Sequence, residues 1–331
     1  MKNNNLENTI NSFEGLTVLI VGDIMIDSYL WGHTERVSPE APVPIVNVNR
    51  KEHRMGGAAN VALNIKALGA IPILCTVIGA DEVGMIYNNL LQDEEMNDEG
   101  ILVSSNRVTT QKTRVISHNQ HIVRVDEEKV ENIDSTEEEK LIDIITTLMD
   151  NKKPDVVIFE DYNKGVLTKN VIHSIIEEAN KRSIPTSVDP KKDNFFEYKN
   201  VTLFKPNLKE FIEGLKLTSE PLSNNDWKTA IDNLRKKLNH KSTFVTLSEK
   251  GALIEYEDQI TIIPAHLRKI ADVSGAGDTV ISVASLCLAL GTSFRVLAEL
   301  ANLAGGLVCE MSGVVPITKD MLIDELSELT L

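Results

Sequence analysis

A chain of 331 residues that is 42% hydrophobic and 25% charged can bury a sizeable core and is not the composition of a disordered polymer. Its 34 Lys and Arg against 49 Asp and Glu leave a formal charge of −15, which argues against a nucleic-acid partner and obliges any anionic substrate to be held by a local basic pocket. Cys75, Cys287 and Cys309 are odd in number, widely spaced and set in apolar runs, so they read as reduced core residues of a cytoplasmic protein.

The polar N-terminus has no apolar segment resembling a signal peptide. Residues 17–22 (TVLIVG) are a continuous apolar run, as expected of a strand buried on both faces of a parallel sheet. Residues 31–50 then break the pattern with Pro39, Pro42 and Pro44, followed by Ile45, Val46 and Val48. Together with the alternating strands of 109–126 (KTRVIS, HIVRVD) they predict a small β-sheet lid over approximately 30–50 and 109–126. Residues 58–68 place Val61, Ala62, Ile65 and Leu68 on one helical face and stop at Gly69.

Further strand-like runs lie at 73–79, 155–159, 186–188, 201–204 and 243–247. Helical patterns at 135–149, 167–182 and 226–238 separate most of them, the first expected to open on a capping box of Ser135 with Glu138. A hairpin over 252–263, two helices rich in small residues at 275–290 and 294–311, and a terminal helix after Pro316 complete the chain. The stretch 280–290 is too short and too rich in Ser to cross a bilayer, so no membrane is expected. Strands alternating with helices imply right-handed βαβ units, hence an α/β domain over 1–331 with its sheet covered on both sides.

Three segments could carry chemistry. In residues 272–279 (DVSGAGDT), Gly275 and Gly277 permit a tight turn at a helix N-terminus, where main-chain amides favour anions. Asp278 would stand beside a bound phosphoryl group, placed to accept a proton; an ordinary helix start would explain the same residues. In residues 56–60 (GGAAN) the glycines allow close approach of a ligand and Asn60 offers a donor and an acceptor, although a tight turn would also need the glycines. In residues 207–210 (NLKE), Glu210 could position hydrated Mg²⁺ at a strand's carboxyl end, or simply complete a capping box with Asn207. The chain has no Walker A loop and no protein-kinase signature, and its seven histidines, His118 and His121 included, show no metal-ligand spacing.

In this order the three segments resemble the ribokinase/PfkB carbohydrate-kinase family: its Gly-Gly…Asn sugar signature, its NxxE magnesium–nucleotide motif and its DxxGAGD signature. The resemblance runs from residues 22–27 to Asn302 and implies a ribokinase-like three-layer αβα fold with a small β-sheet lid. Within the family, residues 36–44 (RVSPEAPVP), 112–114 (KTR), Asn119, Gln120, 124–126 (RVD), 161–165 (DYNKG) and 189–191 (DPK) look like the kinases of D-glycero-β-D-manno-heptose 7-phosphate, which act in the ADP-heptose pathway to the lipopolysaccharide core. Some of those carry a fused nucleotidyltransferase; here adenylyl transfer would need another protein.

The resemblance implies ATP and Mg²⁺ as cofactors, with a monovalent cation as an optional addition. It makes Asp278 the base for the sugar hydroxyl and the amides of Gly275, Ala276 and Gly277 an anion hole, whose removal would cost roughly 3–4 kcal/mol of barrier. Asn207 and Glu210 would serve Mg-ATP, with Glu210 toward the metal, Ser248 and Gly251 would lie in the nucleotide loop, and Asn302 near the adenine. Asp27, taken as the end of the first strand, would meet the sugar hydroxyls with Gly56, Gly57 and Asn60. At least one of Lys112, Arg114, Arg124, Lys164 and Lys191 would hold the sugar phosphate; alternation puts Lys112 and Arg114 on one face, although solvent-facing strand charges would look the same. Trp31 and the apolar 43–48 run suggest a homodimer packed lid to lid, or a cover for the sugar. Two rivals remain: another sugar or nucleoside kinase of the family, and a non-catalytic sugar- or nucleotide-binding regulator.

Overall fold

A computed structural model describes residues 2–328 apart from 119, 221, 222, 267 and 312, with main chain alone at 2–4 and 224. Asn119, singled out above, thus lies outside the described residues. The chain opens with α1 (Lys2–Asn11), β1 (Thr17–Gly22), β2 (Ile24–Val37), β3 (Pro44–Gly57), α2 (Ala58–Ala67), β4 (Ile71–Gly79), α3 (Glu82–Asp93) and β5 (Ile101–Ser104). It continues with β6 (Gln111–Ser117), β7 (Gln120–Glu127), α4 (Ser135–Lys152), β8 (Val156–Glu160), α5 (Lys169–Lys181), β9 (Thr186–Asp189), β10 (Leu203–Phe204) and α6 (Leu208–Leu215). Last come α7 (Asn224–Leu238), β11 (Ser242–Thr246), the hairpin of β12 (Ala252–Tyr256) and β13 (Gln259–Ile263), α8 (Ala276–Ala289), α9 (Phe294–Val308) and α10 (Lys319–Glu328).

Among the described residues, nine strands form the main sheet in the order β13-β12-β11-β10-β9-β8-β1-β4-β5. Strands β5, β4, β1, β8, β9, β10 and β11 are parallel, and the β12–β13 hairpin adds an antiparallel edge. The alternation within β1 shows why its run is wholly apolar. Val18 and Ile20 join the core beneath α1, α2, α8 and α9, whereas Leu19 and Val21 join the core beneath α4, α5 and α7. Both faces are covered, giving three layers.

The second sheet has the order β3-β2-β6-β7, with β2 and β6 parallel and the outer pairs antiparallel. Its long hairpin starts at Ile24 and returns at Gly57, so it extends beyond the 30–50 expected for it at both ends. Asp27 therefore sits not at the end of the first strand but on β2, at the root of the lid, where continuous pairing with β3 begins immediately after β1.

Two other expectations change. The capping box of α4 is made by Asp134 and Glu137, one residue earlier than Ser135 and Glu138; the Asp134 side chain accepts from the Glu137 amide at 2.9 Å. Helices α1 and α3 and the strand β5 are not expected from the sequence, because short elements with weak apolar periodicity give weak signals, whereas α6 is the helix that the capping-box reading of Asn207 and Glu210 calls for.

Candidate active site

The site lies where the carboxyl ends of β8 and β9 face the N-terminus of α8, as expected for ligands in a parallel sheet. Gly275 is the N-cap of α8 with φ +79°, a conformation that favours glycine, and a Cβ there would stand 3.0 Å from Asn60 Nδ2. Asp272 ties this turn down, its Oδ1 accepting from the Ser274 amide and its Oδ2 from the Gly313 amide, both at 3.0 Å. Burial works against the Asp272 carboxylate, but these main-chain donors outweigh it and hold its pKa below the ordinary value. Of the three amides expected to form an anion hole, that of Ala276 donates to the Val273 carbonyl at 3.3 Å. Those of Gly275 and Gly277 have no protein partner among the described residues.

Asp278, in the first turn of α8, is 6% exposed and points at polar neighbours rather than into the apolar core. Its Oδ2 accepts from Asn60 Nδ2 at 2.6 Å and its Oδ1 from the Tyr162 hydroxyl at 2.9 Å. Burial raises its pKa above the ordinary carboxylate value, the two donors oppose the rise, and the nearby Asp189 charge adds to it. Asn60 lies on α2 directly after Gly57, whose φ of +62° turns β3 into the helix. A Cβ at Gly57 would lie 2.5 Å from the Asp23 carbonyl, so the glycine at 57 is demanded by main-chain packing.

Tyr162 was not among the site residues expected from sequence. Its loop is folded around buried Asp23, whose carboxylate accepts from the amides of Tyr162, Lys164 and Val166 at 2.9–3.0 Å. Lys205 was missed as well: at 2% exposure its ammonium donates to Asp189 Oδ2 at 2.6 Å and to the Gly277 carbonyl at 3.5 Å. The only hint of it was a lysine closing the apolar run VTLF. Glu160, the last residue of β8, is fully buried with both carboxylate oxygens lacking a partner among the described residues. Burial, then the charges of Asp189 and Asp278, push its pKa well up and favour the neutral acid.

Lys191 donates to Glu210 Oε1 at 2.6 Å, lies 3.6 Å from Asp189 Oδ1 and stands over the Tyr162 ring at 5.4 Å. Burial disfavours its charge, but the Asp189 and Glu210 carboxylates outweigh that and raise its pKa. Asn207 and Glu210 form the capping box of α6, Glu210 Oε2 accepting from the Asn207 amide at 2.8 Å and Asn207 Oδ1 from the Glu210 amide at 2.9 Å. Both carboxylate oxygens of Glu210 thus have protein partners but keep further lone pairs that could accept from the water shell of Mg²⁺. Among the described residues no group of three or more His, Cys, Asp and Glu is arranged to hold a metal directly.

Ser248 and Gly251 lie in the turn between β11 and β12, with φ of +54° and +94°. A Cβ on Gly251 would approach the Ile263 carbonyl to 2.0 Å. Asn302 on α9 donates to the Pro264 carbonyl at 3.0 Å, so these candidate nucleotide residues gather beside the end of β13.

On the lid, Asp27 Oδ1 accepts from Arg114 Nη1 at 2.5 Å, and a Cβ on Gly56 would lie 2.5 Å from Asp27 Oδ2. Strand register puts Lys112 and Arg114 on the face shared by Asp27, with Arg124 and Asp126 across from them. Arg124 is engaged by Asp126 through two bonds of 2.8 and 3.0 Å, and Lys164 by Glu128 at 2.8 Å. Burial, then the Lys164 charge, lower the pKa of Lys112. Trp31 is on the Asp27 face, stacked on Tyr29, so it covers the cleft side of the lid.

Residues 16–320 match the model of a family described as pfkB family carbohydrate kinase. The chain is 35% identical over 331 residues to a protein named "Bifunctional protein HldE" from Syntrophotalea carbinolica, covering 99% of this chain and 66% of that protein. It thus spans about two thirds of the length of the curated relatives it matches. Phosphofructokinase-2 from Escherichia coli, solved in complex with potassium, superposes with a TM-score of 0.76 at 19% identity over 96% of this chain and 100% of the other. Arabidopsis thaliana ribokinase, solved with ribose and ATP, does so with 0.73 at 16% over 94% and 99%. At such identities the last two speak for the fold alone.

Proposed function

Because the chain belongs to the pfkB family of carbohydrate kinases, which transfer a phosphoryl group from ATP to a sugar hydroxyl, we propose that its substrate is D-glycero-β-D-manno-heptose 7-phosphate, phosphorylated on O1. The observation that carries this choice is the cationic lid face beside Asp27 in a chain of net charge −15. A neutral sugar needs no such face, whereas a sugar phosphate must find one. The names of the curated relatives agree with it. At least one of Lys112, Arg114, Arg124, Lys164 and Lys191 then meets the 7-phosphate.

Asp278 accepts the O1 proton as the bond to phosphorus forms, when the hydroxyl has become acidic enough for a carboxylate. Asn60 and Tyr162 orient it. The free amides of Gly275 and Gly277, at the positive end of α8, face the charge on the moving phosphoryl group. Mg²⁺ neutralises the ATP phosphates when bound; Glu210 is suited to hold its water shell, with Asn207 beside it. Ser248, Gly251 and Asn302 serve the nucleotide, and Asp27, Gly56 and Gly57 the sugar. A monovalent cation is an optional addition.

The proposal includes a cytoplasmic enzyme, supported by three free cysteines and by the absence, among the described residues, of a helix able to cross a membrane. It also includes a homodimer through the lid. Val123 and Val125, 50% and 47% exposed, lie on the sheet face opposite Arg124 and would be covered by a second copy.

A panel of heptose 7-phosphate, fructose 6-phosphate, ribose and adenosine, with the product identified by NMR, tests the substrate. Heptose 7-phosphate should give the highest kcat/KM and a 1,7-bisphosphate. Preference for ribose or adenosine would overturn the reading.

A further inference from the structure

One face of the lid sheet carries more cations than the sequence reading counted. Register sets Asp27 beside Arg54 and Lys112, Tyr29 beside Glu52 and Arg114, Trp31 beside Arg50, and Arg114 beside Arg124. Five cations (Arg50, Arg54, Lys112, Arg114, Arg124) share this face with the carboxylates of Asp27, Glu52 and Asp126, leaving two positive charges over, the charge a phosphate monoester carries with opposite sign.

The five are not equivalent. Arg124 has the Nε–Nη2 edge of its guanidinium paired in bidentate fashion with Asp126, and Arg50 stands away over Trp31 at 4.8 Å. Arg54 and Arg114 instead share one ring: their guanidinium carbons lie 5.1 and 5.4 Å from the centroid of Tyr29, itself only 9% exposed. Each is steadied by one carboxylate, Arg54 Nε by Glu52 at 2.5 Å and Arg114 Nη1 by Asp27 at 2.5 Å. Each keeps unused N–H donors from its set of five. Arg54 also leans on the catalytic side of the molecule, because a Cβ on Gly313 would meet its Nη1 at 2.6 Å. The Gly313 amide is the one held by Asp272, which anchors the turn into α8.

We propose that Arg54 and Arg114, aligned by Tyr29, are the phosphate clamp that makes the enzyme specific for a phosphorylated sugar. Arg114 links the clamp to the sugar through Asp27, and Arg54 links it to the glycine turn. The other three cations on this face supply background charge. The clamp rests on the phosphosugar reading given under Proposed function, and it deepens that reading by adding a residue, Arg54, that no motif indicated.

The test compares heptose 7-phosphate with the unphosphorylated heptose in the wild type and in Arg54→Gln, Arg114→Gln and Arg50→Gln. Loss of a charge-assisted hydrogen bond predicts a rise of about 10- to 100-fold in KM for the phosphosugar, with kcat changed little. Arg50→Gln, which removes the same charge from the same face, should stay within about twofold of the wild type. Inorganic phosphate should compete with the phosphosugar in the wild type and lose that effect in Arg54→Gln. A wild type with no preference for the phosphorylated sugar would sink the substrate reading and the clamp together. A wild type that prefers it, with Arg54→Gln and Arg114→Gln preferring it equally, would sink the clamp alone.

Discussion

The hydroxyl of Tyr162 donates to Asp278 Oδ1 at 2.9 Å, from a loop 116 residues earlier in the chain. Burial and the surrounding carboxylates push the phenol's pKa well up, so it remains a donor throughout the neutral range. Its bond stabilises the carboxylate form of a residue whose burial favours the neutral acid. Removing it in Tyr162→Phe should raise the pKa of Asp278 further. The acid limb of the kcat profile should then move to higher pH, by up to about one unit, and kcat at neutral pH should fall by roughly tenfold. An acid limb that stays in place in Tyr162→Phe would show that the phenol does not tune the base.

Asp278→Asn keeps the shape of the side chain and removes its ability to take a proton. The expected result is a fall in kcat of about 10²- to 10⁴-fold, with calorimetric affinities for ATP and sugar close to those of the wild type. Near-normal turnover in the variant would exclude Asp278 as the base, whatever its position.

Lys205 is an ammonium at 2% exposure whose close partners are the Asp189 carboxylate and the Gly277 carbonyl. Burial opposes ionisation of Asp189, but the charges of Lys191 and Lys205 outweigh it and keep its pKa below the ordinary value. Lys205→Met would leave Asp189 with the more distant Lys191 at 3.6 Å and should destabilise the fold by about 3 kcal/mol, read from denaturant midpoints. Adding Asp189→Asn should restore part of that loss. Strict additivity of the two substitutions would mean that they do not form one buried pair.

The legible parts of this molecule are those written in contiguous residues. The continuous apolar run of β1 announced a strand covered on both sides, and the glycines of 275–277 announced a tight turn at a helix start. Asp278 could be singled out because its neighbours in sequence are also its neighbours in the turn. Tyr162, Lys205 and Arg54 were not legible in the same way. Each acts through a residue distant in the chain (Asp278, Asp189 and Gly313 respectively), and only strand register and helix packing decide those meetings. Asp27 shows the intermediate case: its chemistry was read from its type, but its strand was misassigned because β2 follows β1 after a single residue. Glu210 illustrates overlap, since the capping box and the proposed Mg²⁺ role call for the same residue at the same spacing.

His240 offers a test of the fold that is independent of catalysis. It is buried before β11, with Nε2 2.6 Å from Thr243 Oγ1 and Nδ1 lacking any partner among the described residues. Burial, reinforced by the Arg235 charge, lowers its pKa from 6.5 to about 3. The folded state therefore holds the neutral ring while the unfolded chain takes up a proton below pH 6.5. The stabilising contribution is complete above that pH and is lost as the pH falls from 6.5 toward about 3, at up to about 1.4 kcal/mol per pH unit from this group. His240→Gln cannot be protonated, so its stability should decline less steeply than that of the wild type between pH 6.5 and 4.5, even if its stability at pH 8 is lower. Urea midpoints for both proteins across that range measure the difference. Parallel pH dependences would mean that the ring is already protonated, or already solvated, in the folded protein.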